Sequence, residues 1–298
     1  MTQLALKVDV DTLRGTLVGV PALINLLQSH GADATFLFSL GPDNTGRALR
    51  RIFRRGFLNK VLRTSVGANY GLRTLTYGVL WPGPIIGERA AAVMRSVRDA
   101  GFEVGVHCHD HVLWQDYVAR RDRHWTQRQI ALAVTAFQRI FDAAPRVHGA
   151  AGWQVNEFVP ELETEFGFEY ASDTRGTGPF MPLSQGKARG CLQLPTTLPT
   201  FDELIGLDGC TEANVADRVL RLTERQTHHQ VFTLHAELEG MRLASAFDQL
   251  LLGWKSTGLT LCSLGAMANS INREQLPTHA IVNREAPGRS GALAFQDN

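Results

Sequence analysis

The sequence predicts an α/β fold built on a parallel sheet or a (β/α) barrel, and three observations carry that expectation. Short β-branched and aromatic runs alternate with amphipathic helical segments from residue 4 to residue 262. Several of the runs end in Asp or His, as expected where functional side chains gather at the carboxyl ends of parallel strands. The 298 residues, 44% hydrophobic and 20% charged, suffice for a large core and exclude collagen-like, coiled-coil and wholly disordered chains.

Taken in order, residues 4–10 form a buried first strand closing in Asp9-Val10-Asp11-Thr12. Residues 20–30 carry apolar side chains at helical spacing with Pro21 in the first turn, and residues 34–40 return as a strand, completing a βαβ unit. Residues 87–100 read as a helix and 101–107 as a third strand, again with a polar end. A capped amphipathic helix over 126–143, a short strand over 147–152 and a helix over 157–166 follow. The alternation resumes with a strand at 230–235, a helix at 246–257 and a last strand at 259–262.

Two stretches interrupt the pattern. Residues 44–87 hold no Asp or Glu, while Arg47, Arg50, Arg51, Arg54, Arg55, Lys60, Arg63 and Arg73 alternate with apolar residues such as Phe53, Phe57 and Leu62. This is a basic amphipathic insertion. Residues 176–208 are rich in Gly, Pro and Thr and read as a long loop or small hairpin layer over the site. Residues 1–275 are expected to form one domain, with 276–298, polar and Gly-rich, a flexible tail.

A formal net charge of +1 argues against a bulk nucleic-acid binder, leaving only local basic patches. Four dispersed cysteines without C-x-x-C pairs argue against a disulfide framework or zinc knuckle and suit a reducing compartment. The amino terminus lacks the pattern of a cleaved signal, and no stretch reaches 18 uncharged apolar residues, so neither export by a signal peptide nor a membrane span is expected.

The densest chemical signal is Val106-His107-Cys108-His109-Asp110-His111, immediately after a predicted strand. His107 and His111 are four apart, so a helical turn would put both imidazoles on one face, able to meet one cation. With Asp11 at the end of the first strand they make a His2Asp divalent site with positions open for water and substrate. The bland alternative is a histidine-rich turn with Asp110 as helix N-cap. Asp9 shares a strand face with Asp11 by the two-residue period, so one carboxylate can hold a metal while the other acts as general base. His235, closing Thr-Leu-His, can donate a proton to a leaving amine. Asp173, in Ala-Ser-Asp-Thr-Arg, can orient that histidine or serve as a turn residue.

These motifs, with Gly149-Ala-Ala-Gly-Trp153, Ser172-Asp173 and Leu234-His235, resemble the polysaccharide deacetylase (NodB-homology) family over residues 4 to about 265. Within it, Val-Asp-Val-Asp-Thr, Phe-Ser-x-Gly-Pro-Asp-Asn, Trp81-Pro82-Gly83, Pro-x-Thr-Leu-Pro-Thr and His-Ala-Glu-x-Glu-Gly resemble the deformylase branch that acts on a formamidoarabinose linked to undecaprenyl phosphate. The resemblance implies a distorted (β/α) barrel and a metal-dependent amidase. It implies Asp9 as catalytic base, His235 as general acid, Asp11, His107 and His111 as ligands of a divalent ion (zinc, manganese or cobalt), and backbone N–H groups of residues 150–153 at the oxyanion. The family's Arg-x-Pro-Tyr is absent. The arginine that braces the base therefore has no counterpart, and Arg175 is the substitute expected, with Trp153 and Asp173 as substrate-orienting residues.

The resemblance further implies a lipid-linked sugar substrate, a role in lipid A aminoarabinose modification and polymyxin resistance, and peripheral attachment to the cytoplasmic face of the bacterial inner membrane, with no nucleic-acid partner. Residues 47–63 suit docking on an anionic surface. Competing readings are a deacetylase of a peptidoglycan- or chitin-like sugar, a catalytically dead binding module, and nucleic-acid binding by the basic insertion.

Overall fold

The computed structural model describes residues 3–48, 74–184, 186–225, 228–289 and 291–297. Strand β1 (Gln3–Val10) organises the fold because its two faces differ. Leu4, Leu6, Val8 and Val10 pack outward into the main core, while Ala5 joins a second apolar cluster on the opposite side. By the two-residue period Lys7, Asp9 and then Asp11 continue the Ala5 side, so the inward face turns from apolar to charged toward its carboxyl end.

Around it stand β2 (Thr35–Ser39), β3 (Glu103–Cys108), β4 (Val147–His148) and β5 (Tyr170–Ala171). After them come β6 (Met181–Ser184), β7 (Lys187–Ala188), β8 (Leu192–Gln193), β9 (Gln230–His235) and β10 (Thr260–Cys262). The main sheet is eight-stranded, ordered β10-β1-β2-β3-β4-β5-β8, with β9 on the other edge of β1. Every ladder in it is parallel. Beyond β8 the N–H groups of Thr197 and Leu198 donate to the Val231 carbonyl at 3.0 and 3.3 Å, so the chain meets β9 and the sheet curls into a half-barrel.

The helices Val20–His30, Ala91–Asp99, Arg123–Phe141 and Ala244–Ser256 cover the outside. Arg123–Phe141 starts at Asp122, whose carboxylate accepts the Trp125 N–H at 2.8 Å, an N-cap that satisfies an otherwise unpaired donor. Leu264, Met267 and Ala268 of helix Leu264–Ser270 pack with Ala5, Leu37, Val147 and Val231, filling the half-barrel below the charged residues.

The α/β half-barrel matches the expected fold class, while three local expectations are corrected and one is extended. The strand expected over 147–152 stops at His148, because residues 150–153 leave the sheet as a turn. The helix expected over 87–100 is two pieces, Ile86–Arg89 and Ala91–Asp99, broken at Ala90. Residues 176–208 hold the expected small hairpin, β6–β7, and beyond that expectation give β8 to the main sheet. The segment read as a flexible tail, 276–298, carries β11 (Thr278–His279), β12 (Ile281–Glu285) and β13 (Ala292–Gln296). Its polar composition reflects the exposed outer side of an edge hairpin, while Leu293 and Ala294 are buried. Of the basic insertion, residues 49–73 lie outside the described residues.

Candidate metal centre and active site

Asp11, just past β1, meets His107 from β3 and His111 from the next helix. His107 Nε2 and His111 Nε2 lie 3.3 and 3.4 Å from Asp11 Oδ1. All three ligand atoms fall within 4.8 Å of one another. The two histidines do not share a helix face: His107 belongs to the strand, and His111 opens helix His111–Tyr117 after a sharp turn. Asp110 caps that helix, accepting the Leu113 N–H at 3.0 Å, so the N-cap expected of Asp110 coexists with the approach of both histidines to Asp11. Asn44 fixes the cap by donating to Asp110 Oδ2 at 2.6 Å.

The donor set fits a divalent cation. The His107 Nδ1–H donates to the Gly149 carbonyl at 2.6 Å, which leaves the Nε2 lone pair facing Asp11. Asp11 Oδ1 is buried without a hydrogen-bond partner, an arrangement costly in an apolar interior unless a cation shares the space. Burial disfavours its ionised form, but His111 and His107 outweigh burial and hold the carboxyl below the usual range. Beneath it, Glu237 Oε1 accepts from the Asp11 N–H, the Thr12 N–H and the Thr12 hydroxyl at 3.1, 2.8 and 2.8 Å, fixing the strand end. Gly15 permits this approach, since a Cβ there would stand 1.9 Å from Glu237 Oε1. Burial, reinforced by Asp11, pushes the Glu237 carboxyl up to about 8.

Asp9 and His235 flank the centre on neighbouring strands, paired in register, with the Ala236 N–H bonded to the Asp9 carbonyl. Asp9 Oδ1 and His235 Nδ1 are buried without hydrogen-bond partners. The cation beside Asp9 is Lys7, whose Nζ lies 3.4 Å from Asp9 Oδ2, donates to the Ser172 carbonyl at 2.9 Å and is fully buried. Arg175 does not fill that place. It pairs with Glu203 at 3.3 Å, donates to the Leu198 carbonyl and lies 5.2 Å over the Trp153 ring.

Asp173 is likewise reassigned. No hydrogen bond joins it to His235 among the described residues; it accepts the Ala150 N–H at 2.7 Å and lies 3.2 Å from His148 Nδ1. Glu163 Oε1 is 2.6 Å from the same nitrogen, and the Gln193 amide bridges both carboxylates. Burial opposes charge on His148, yet Asp173 and Glu163 push it up to about 10. Burial and Asp173 push Glu163 up to about 8, whereas Asp173, against burial, is held at about 2 by His148. The cluster thus stands as imidazolium, carboxylate and neutral acid, mutually hydrogen-bonded, and it supports the turn at 150–153.

Trp153 adopts a left-handed φ of 51° and is buried, its Nε1–H donating to Thr196 at 3.1 Å. It stands edge-on to His235 at 6.4 Å, with Lys7 at 5.3 Å and Arg289 at 4.8 Å from its ring centre. Arg289 comes from the carboxyl-terminal segment and also binds Glu203, Asp202 and Thr200. Cys108 takes no part in the centre; its thiol meets Ser39 at 3.3 Å, and burial pushes it well up. Lys7, Glu237, His148, Glu163 and Arg289 were not anticipated. Only Lys7 and Glu237 carry a sequence signal, as charges inside otherwise apolar or motif-bearing stretches.

The curled parallel sheet thus brings two histidines and an aspartate together at its carboxyl end, flanked by a second aspartate and a histidine. No model of a known protein family matches the chain. Among solved structures, a protein described as a polysaccharide deacetylase from Mycobacterium smegmatis superposes with a TM-score of 0.66 at 16% identity, over 96% of this chain and 95% of that one. Two curated relatives match nearly the full length. One, from Shewanella sediminis, is 36% identical over 99% of this chain and 95% of its own; the other, from Wigglesworthia glossinidia brevipalpis, is 34% identical over 95% and 98%. Both are named probable 4-deoxy-4-formamido-L-arabinose-phosphoundecaprenol deformylases, and the chain belongs to that deformylase family.

Proposed function

We propose that the protein hydrolyses the formamide of 4-deoxy-4-formamido-L-arabinose carried on undecaprenyl phosphate, giving formate and the free 4-amino sugar. The observation that carries this reading is the Asp11–His107–His111 donor set with Asp9 and His235 paired across β1 and β9 at its edge. The relatives' names supply the substrate. A divalent ion held by Asp11, His107 and His111 would polarise the formyl oxygen and acidify water. Asp9, through its uncommitted Oδ1, takes the proton of the attacking water, with Lys7 holding the other carboxylate oxygen in place. His235 gives a proton to the nitrogen as the C–N bond breaks. In the turn at 150–153, which the family resemblance assigns to the oxyanion, the Ala150 N–H is bound to Asp173 and the Trp153 N–H to the Ala150 carbonyl.

The amine product is cationic at neutral pH, which suits a sugar that masks lipid A phosphates and so protects against polymyxin. No helix among the described residues is long and apolar enough to cross a membrane. The reading therefore includes peripheral docking on the cytoplasmic face of the inner membrane through the basic residues of segment 47–63. Mass spectrometry of the formamidoarabinose phosphoprenol incubated with protein and zinc, manganese or cobalt tests the reaction. Loss of the formyl group is expected; no loss, with cleavage of an N-acetylated sugar instead, would assign a deacetylase.

A further inference from the structure

Leu17, Trp81 and Ile85 are exposed apolar side chains on the wall of one groove that also includes Leu13. Leu17, Val18, Val79, Leu80, Trp81 and Ile85 are each at least 36% exposed, Leu80 and Trp81 by 71% and 67%. Scattered exposed apolar residues are ordinary, but this grouping marks a surface that meets something apolar. It borders a groove of about 810 Å³ whose apolar walls include Leu13, Leu17, Tyr77, Trp81, Pro82 and Ile85.

The groove begins at the chemistry. Leu13 lies two residues past the metal-site residue Asp11, and its N–H donates to Asp43 Oδ2 at 2.9 Å. The Asp43 N–H in turn donates to the Pro84 carbonyl at 2.9 Å, and Pro42 bridges Ile85, tying the far wall to the same segment. The outer rim is a turn built rather than loose. The Thr76 carbonyl accepts from Val79, Leu80 and Trp81, Gly78 supplies a left-handed φ of 76°, and Arg47 donates to the Gly78 carbonyl at 3.0 Å. A backbone fixed in this way presents Leu80 and Trp81 to solvent despite the cost of hydrating them.

We propose that this groove binds the first isoprene units of the substrate's lipid chain, leading them away from the metal centre. The inference rests on the lipid-linked substrate proposed above. Leu13, two residues past Asp11, lines the groove, so a prenyl tail leaving a sugar that reacts at Asp11 would have this wall beside it, with Glu88 and Arg89 also in the lining.

The test compares formamidoarabinose phosphodiesters carrying a methyl or a farnesyl group, below the micelle concentration and without vesicles, on wild type, Leu17→Asp and Trp81→Asp. Wild type should show a KM about ten- to a hundredfold lower for the farnesyl compound, as burial of several CH₂ groups implies. Both variants should bring that ratio close to one while leaving kcat/KM for the methyl compound unchanged. A wild-type ratio near one, or variants that keep the preference, overturns the groove assignment. So does a change of oligomeric state in Trp81→Asp by sedimentation velocity, which would make the surface a contact between copies. Failure of wild type to deformylate either compound would instead refute the proposed reaction.

Discussion

Replacing Lys7 by Met removes a buried charge while nearly keeping the volume. The 3.4 Å separation from Asp9 corresponds to a Coulomb attraction of about 5 kcal/mol at an effective dielectric constant near 20. Removing one partner of a buried pair typically costs about 3–5 kcal/mol, because the remaining charge is left uncompensated. Lys7→Met also strands the Ser172 carbonyl, so a loss at the upper end is expected. Denaturant unfolding of chelator-treated protein isolates the pair from any cation at the neighbouring ligands. A double-mutant cycle with Asp9→Asn should return a coupling of at least about 2 kcal/mol, since the amide no longer needs the ammonium. Lys7→Arg should recover much of the stability and turnover, whereas Lys7→Met should lose turnover with bound metal retained. A coupling near zero, or full turnover in Lys7→Met, would refute the brace and return Lys7 to a structural role.

His107→Ala or His111→Ala should abolish bound divalent metal and activity together, and Asp9→Asn should lose turnover with metal retained; elemental analysis beside kinetics decides both. His235→Gln should lower kcat by roughly 10²–10⁴-fold with metal in place. Arg289→Met should lower kcat more than it raises KM and cost about 1–3 kcal/mol in denaturant titration, because Glu203 and the Trp153 face lose a half-buried cation. For the His148 cluster, the raised His148 and Glu163 values contribute stability that is full below their unfolded values and is lost as pH rises through about 8 to 10. The melting temperature should therefore fall between pH 7 and 10, and less steeply in Glu163→Gln. Changing Arg50, Arg51, Arg54 and Arg55 to Glu should abolish sedimentation with anionic liposomes while sparing a short soluble substrate.

The parts of the site legible in the sequence were those with local spacing. Asp9 and Asp11 two apart on a strand, and His107 and His111 four apart after one, are constrained by backbone geometry alone, although the histidines meet through a strand-to-helix turn rather than along a helix. Lys7 obeys the same two-residue period, but an isolated lysine in an otherwise apolar strand carries no motif that distinguishes a buried brace from a surface charge. The His148–Glu163–Asp173 cluster was illegible because its members come from β4, the following helix and the residues just past β5, and only the β4–β5 pairing with that helix packed on it brings them together. The carboxyl-terminal hairpin misled for another reason. Composition averages over both faces of β12 and β13 and hides the few contacts that matter, such as the two backbone bonds between Arg175 and β13.

The charge arrangement along β1 explains why one strand holds so much of the chemistry. With neutral histidines and both aspartates ionised, Lys7, Asp9 and Asp11 sum to one negative charge in a buried space, which attracts a divalent cation. On the proposed reading, a divalent cation held there would bring the sum to one positive charge, facing the position where negative charge would develop as water adds to the amide carbonyl. Lys7 would then act in both states: it offsets the repulsion between the two carboxylates before a metal enters, and afterwards it would hold Asp9 in place as the proposed proton acceptor. A lysine from the same strand needs no separate loop to reach the base. That leaves residues 149–153 free to depart from the family's Arg-x-Pro-Tyr and to carry Trp153, which the carboxyl-terminal segment then grips through Arg289.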